Sequence, residues 1–195
     1  MHQFDPRALR VILLLALVAL LQGCVAAVGA GAAAGAAVIN DRRTTGTYID
    51  DELIELKVLD AIRKDKDLWN ASHINATSFN NIVLLSGETP SEALRARITE
   101  VARNIPKVKL VHNELAIAAP SSALARSSDT WITGKVKTAL LNEKGLDAAH
   151  TKVVTERGVV YLMGILTRAE ADVATDIARR VDGVQRVVKL MEYLE

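Results

Sequence analysis

The chain is poor in the features that announce chemistry. Among 195 residues there is one cysteine, Cys24, so an intrachain disulfide is excluded. Aromatic residues make up 4% of the sequence, and the 50% hydrophobic fraction is carried by Ala, Val, Leu and Ile, which implies a small aliphatic core. Charge of one sign is also missing. The 24 Lys and Arg nearly cancel 23 Asp and Glu, leaving +1, so the global basic field of a nucleic-acid binder is absent and nucleic acid is not an expected partner. The four histidines, His2, His73, His112 and His150, show no metal-ligand spacing, and none pairs with a cysteine nucleophile. No Gly-x-Ser-x-Gly elbow or glycine-rich phosphate loop occurs. The expectation is a non-enzyme without catalytic residues, metal or cofactor.

What is present begins with a leader. Arg7 and Arg10 precede an uncharged run, Val11 to Leu21, that ends in Leu21-Gln22-Gly23-Cys24. This layout resembles a bacterial secretory signal closing on a lipobox, in which the cysteine thiol receives diacylglycerol before cleavage. Gln22 departs from the small residue usual at its position. Residues 1–23 are therefore expected to be a signal peptide and Cys24 the lipidation (palmitate-bearing) site, with 24–47 an Ala/Gly-rich tether. Cleavage removes Asp5, Arg7 and Arg10 and leaves 22 basic and 22 acidic residues. Val25 stands at the second mature position in place of the Asp that retains lipoproteins in the inner membrane, so the sorting rule points to the periplasmic face of the outer membrane. An uncleaved anchor is the competing reading, since Val11 to Ile39 carries no charge and Gly31-Ala-Ala-Ala-Gly35 has small-xxx-small spacing.

After the tether the sequence repeats. Displaced by 76 to 78 residues, Asp51 falls on Asp129, Lys57-Val58 on Lys135-Val136, and Ile82 to Gly87 on Val159 to Gly164. Each copy reads as an Asp- or Ser-capped amphipathic helix and a hairpin across Asn80-Asn81 or Arg157-Gly158. A glycine follows that turns the chain from strand to helix. A capping box comes next, Thr89-Pro90-Ser91-Glu92 or Thr167-Arg168-Ala169-Glu170, opening a second helix before a closing strand, Val108 to Ile117 or Val184 to Leu194. The predicted fold class is α+β: two tandem αββαβ modules, each a three-stranded mixed sheet with two helices on one face. Module 1 is assigned to 48–118, a linker with Pro120 and three serines to 119–127, and module 2 to 128–195.

The first helix of module 2 carries the clearest functional signal. With Trp131 at zero and about 100° per residue, Ile132, Val136, Ala139 and Leu140 gather on the core side, while Trp131, Lys135 and Thr138 gather opposite, flanked by Gly134, Leu141 and Lys137. An indole at headgroup level, lysines that reach phosphates and a glycine that lets lipid approach the backbone suit an anionic bilayer. The bland alternative is that Trp131 packs against the other module. In module 1 Leu53 replaces Trp131, and Leu53, Leu56 and Leu59 form a stripe expected to pack on the linker or on module 2.

The module order, the duplication, the hairpins ending in glycine and the stretch Ser128-Asp129-Thr130-Trp131-Ile132-Thr133 with Lys135-Val136 resemble BON domains, named for bacterial osmotic-stress and nodulation proteins. That resemblance includes a two-module lipoprotein understood to bind phosphatidylglycerol through this helix. It implies lipid contact here by Trp131, Lys135, Val136, Lys137, Thr138 and Leu141, to which the helical projection adds Gly134. It further implies a place at division sites and a role in outer-membrane integrity. The alternatives are an adaptor for the outer-membrane β-barrel assembly machinery or a peptidoglycan-enzyme regulator, and a periplasmic chaperone.

Overall fold

Each module closes around a central strand that pairs antiparallel on one side and parallel on the other. The computed structural model describes residues 41–194; the expected signal peptide, Cys24 and most of the expected tether lie outside them. Module 1 runs α1 (Thr45–Lys64), α2 (Lys66–Ala71), β1 (His73–Phe79), β2 (Ile82–Thr89), α3 (Glu92–Arg103), β3 (Leu110–Asn113) and β4 (Ala116–Ile117). Module 2 runs α4 (Ala123–Leu141), a 3-10 turn (Ala148–His150), β5 (Thr151–Glu156), β6 (Val159–Leu166), α5 (Arg168–Arg179) and β7 (Arg186–Tyr193). The sheets are ordered β1-β2-β3, with β4 also on β2, and β5-β6-β7. Both hairpins are antiparallel and both closing strands join in parallel, the mixed sheet expected.

The strand period of two divides the cores. Val83 and Leu85 of β2 join Ile54, Val58, Ile62 and Ile98 of the helices, and Val160 and Leu162 of β6 join Ile132, Val136, Leu140 and Ala174. The alternate positions point the other way. There Phe79 and Leu84 of module 1 meet Tyr161 and Met163 of module 2 in one buried cluster. The helix-free faces of the two sheets thus pack together, which removes apolar surface that a module of this size leaves wet. Polar contacts cross the same boundary: Lys152 Nζ donates to Glu55 Oε1 at 2.7 Å, Asn80 Nδ2 to Glu192 Oε2 at 2.6 Å and Asn75 Nδ2 to Glu156 Oε2 at 3.1 Å.

Several local expectations are corrected. The first helices do not open at Asp51 and Ser128: α1 is capped by Thr44 and α4 by Ser122, whose hydroxyl accepts from Ala125 N, so half of the presumed linker is helix. Ala123, Leu124, Ala125 and Arg126 favour helix once that serine satisfies the first turn. Asp51 and Asp129 are instead buried acceptors. Asp51 takes Asn80 N and Asn81 N at 2.8 Å each and Ser78 Oγ at 2.6 Å, and Asp129 takes Arg157 N at 2.8 Å and Gly158 N at 2.9 Å. Each carboxylate satisfies the positive-φ turn of its own hairpin. Gly87 and Gly164 lie within strands rather than at a strand-to-helix turn; a Cβ there would collide with the carbonyl oxygens of His73 and His150 across the hairpin. Thr167 and Glu170 form a true capping box, whereas in module 1 Thr89 belongs to β2 and Ser91 caps α3. The closing strand of module 1 is split, and Leu115 drops into the core between its halves. The stripe on α1 does not pack on module 2, because Leu56 is 65% exposed.

Candidate functional site

One face of α4 is core. Asp129, Ile132, Val136 and Leu140 are buried at helical spacing. The opposite face carries Leu124, 81% exposed, Trp131, 70% exposed, and farther round the helix Leu141, 71% exposed. Leu124, Trp131 and Thr138 are spaced seven apart, so they fall on nearly one line along a helix about 28 Å long. Trp131 therefore does not pack against module 1. It stands proud of a surface whose other large side chains are aliphatic.

A shallow groove of about 560 Å³ runs beside it, lined by Trp131, Gly134, Lys135, Thr138, Ala139 and Asn142. Gly134 forms part of its floor. A Cβ at this glycine would meet nothing within 4 Å, so packing does not demand the glycine, and its effect is to open the groove. Thr138 Oγ1 donates to Gly134 O at 2.9 Å, one turn back along the helix. Lys135 Nζ hydrogen-bonds the carbonyl of Asp182, in the turn that joins α5 to β7. Its charge is thereby held at one edge of the groove. Lys137 is exposed on the adjoining side of the helix, so two ammonium groups and three large apolar side chains share one exposed surface.

The structure brings together Trp131, Gly134, Lys135 and Thr138 as groove residues, with Leu141 and Lys137 exposed alongside. Val136 is corrected: it is fully buried among Ile132, Leu140 and Leu162, and no lipid can touch its side chain. Sequence reasoning missed Leu124 and Asn142. The signal for Leu124 was its spacing of one heptad before Trp131, hidden because the flanking serines read as linker. The corresponding face of α1 carries Ile49, Leu53 and Leu56, 53%, 43% and 65% exposed, beside Glu52, Lys57 and Asp60, so acidic groups join its lysine where α4 carries lysines alone.

The end of the tether is fixed to the folded part. Arg42 donates from Nη1 and Nη2 to Glu170 at 2.8 Å each and from Nη1 to Ile165 O at 2.8 Å. Arg43, its side chain 7% exposed, bridges Asp41 and Asp51 and lies 4.0 Å over the ring of Phe79. Two cations thus tie the segment leaving the tether to both modules.

Comparison with known proteins identifies the two modules. The BON domain model matches residues 50–119 and again 128–195. The chain is 41% identical over 175 residues to the outer membrane lipoprotein DolP of Haemophilus influenzae, covering 90% of this chain and 91% of that one. It is 35% identical to a 21 kDa hemolysin of Actinobacillus pleuropneumoniae, with 80% of each chain covered. It is 32% identical to the osmotically-inducible protein Y of Escherichia coli, covering 79% of this chain and 78% of that one. With both modules matched and whole-length relatives at these identities, the chain belongs to the BON-domain family and carries two copies of the domain.

Proposed function

We propose that the protein is an outer-membrane lipoprotein, held by acylated Cys24 and facing the periplasm, that binds anionic phospholipid such as phosphatidylglycerol through the outer face of α4 and so supports outer-membrane integrity at division sites. The observation that carries this reading is the exposure of Trp131 beside Leu124, Leu141, Lys135 and Lys137 on a helix whose other face is core. Similarity to an outer membrane lipoprotein over nine-tenths of the chain supports the location. Among the described residues no helix is long and apolar enough to cross a membrane.

The energetics favour recognition by two signals. Each lysine near an anionic surface contributes about 1 kcal/mol, and partial burial of each large apolar side chain contributes on the order of 1–3 kcal/mol. That sum gives reversible binding, which an acyl anchor converts into residence at the membrane. The helix then selects where a tethered molecule dwells rather than whether it is attached. The chain acts by binding, with no catalytic residue, cofactor or nucleic acid.

Sedimentation with vesicles tests this. The chain from Asp41 onward should bind phosphatidylglycerol vesicles, release them as salt rises and ignore phosphatidylcholine vesicles. Trp131→Glu and Leu124→Glu should each abolish binding; equal binding to both vesicle types, or binding indifferent to these substitutions, contradicts the proposal. A second reading, a protein adaptor, draws on the Ile49, Leu53 and Leu56 stripe of α1, whose acidic surroundings repel anionic lipid and suit a protein such as the β-barrel assembly machinery.

A further inference from the structure

We propose that His73, Glu88 and Glu156 form a binding site for a divalent cation of the zinc class at the boundary between the two modules. His73 opens β1 and Glu88 lies directly opposite it near the end of β2, as register partners of the antiparallel hairpin. Glu156 ends β5 of the other module. One ligand atom from each residue lies within 4.8 Å of the other two, and His73 Nδ1 is already 3.2 Å from Glu88 Oε2. Tetrahedral zinc, bonded at about 2.0–2.2 Å to nitrogen and oxygen, places neighbouring ligand atoms about 3.4 Å apart, so small side-chain rotations close the set.

The second observation is a missing partner. Glu88 is fully buried, and among the described residues its Oε1 has no hydrogen-bond donor. It has a looser ion pair with Arg157 Nη1 at 3.8 Å, on a side chain 51% exposed. Glu156 is itself 6% exposed and lies against Glu88. Two buried carboxylates and an imidazole therefore converge, with one carboxylate oxygen left without a hydrogen-bond donor among the described residues.

The remaining surroundings suit a metal. Ser121 N donates to Glu88 Oε2 at 3.2 Å and Asn75 Nδ2 to Glu156 Oε2 at 3.1 Å, which orients both carboxylates as outer-shell partners do. A cavity of about 360 Å³ lined by His73, Asn75, Arg126 and Glu156 gives an entry path and room for a water as fourth ligand. The imidazole selects zinc-class ions over calcium and magnesium, which take oxygen ligands. Because two ligands come from module 1 and one from module 2, the ion would clamp the sheet-to-sheet packing. No local motif announces the site, since its members are 15 and 68 positions apart in order along the chain.

Isothermal titration of zinc chloride into the chelator-stripped full chain in detergent, carrying Cys24→Ser so that no thiol competes, tests the proposal. One zinc per chain should bind, and the melting temperature should rise with zinc. His73→Ala and Glu156→Gln should each weaken binding at least tenfold, while His112→Ala leaves it unchanged. Zinc X-ray absorption on the otherwise native chain should show one imidazole among oxygen ligands, a readout independent of whether the variants fold. Absence of zinc binding, binding retained by both variants, or a coordination shell without imidazole would overturn the proposal.

Discussion

Arg42 and Glu170 lie 128 positions apart, yet the guanidinium of one donates two bonds of 2.8 Å to the carboxylate of the other. The contact joins the end of the lipoprotein tether to the capping box of α5, since Glu170 Oε2 also accepts from Thr167 N at 2.7 Å. On the proposed reading, an anchor at Cys24 would lead into this contact with module 2, the module that carries α4 and its exposed Trp131. The pairing with Arg42, followed by the backbone and hydroxyl of Thr167, lowers the Glu170 pKa from 4.5 to about 2.

That shift sets an acid window. A carboxyl depressed in the folded state stabilises it fully above the unfolded value of 4.5 and loses that contribution as pH falls towards about 2. Chemical denaturation at a series of pH values should show Glu170→Gln less stable than the native chain at pH 6 and the difference vanishing near pH 2. A constant difference across that range would mean that the charge is not the source.

The two hairpin-holding aspartates should differ in weight. Asp129→Ala removes the acceptor of two turn amides and should cost about 1–3 kcal/mol. Asp51→Ala strips three donors and also removes one of the two carboxylates paired with the buried guanidinium of Arg43, at 2.8 Å, and should cost about 3–5 kcal/mol. Urea unfolding checks the order, and equal losses would contradict the role given to Arg43.

Packing between the sheets, rather than the α1 stripe, should hold the modules together. Tyr161→Ala opens the shared cluster and should cost about 3–5 kcal/mol, whereas Leu56→Glu, on an exposed face, should stay within about 0.5 kcal/mol of the native chain. Thermal melts of both variants test this. A large loss on Leu56→Glu would restore that stripe to the interface.

Core and membrane faces of α4 should separate in experiment. Val136→Ala should cost about 2 kcal/mol of stability while the folded protein binds anionic vesicles as before. Trp131→Ala should do the reverse, with stability unchanged within about 0.5 kcal/mol and vesicle binding reduced.

The duplication, the hairpins and the outward placing of Trp131 were legible because repeat spacing and helical period are local signals. The Asp or Ser read as opening each first helix did not do so, and the roles of Asp51 and Asp129 went unread, since an aspartate near a helix start looks the same whether it serves its own helix or a turn 29 residues away. The packing of the two sheets had a signal that went unread. Ile82 to Leu85 and Val159 to Met163 are nearly continuous apolar runs, as strands buried on both faces require, whereas a sheet with one wet face alternates. The convergence of His73, Glu88 and Glu156 had no sequence signal, because strand register and module docking together create it.

The most direct measurement is an NMR titration of the chain from Asp41 onward, first with anionic and then with zwitterionic micelles, following every backbone amide. The account predicts shifts with the anionic lipid that cluster between Leu124 and Asn142, strongest around Trp131 and Gly134, and almost none with the zwitterionic one. An unmoved α4, or shifts centred instead on Ile49 to Leu56, would contradict lipid recognition by this helix and favour a protein partner on α1.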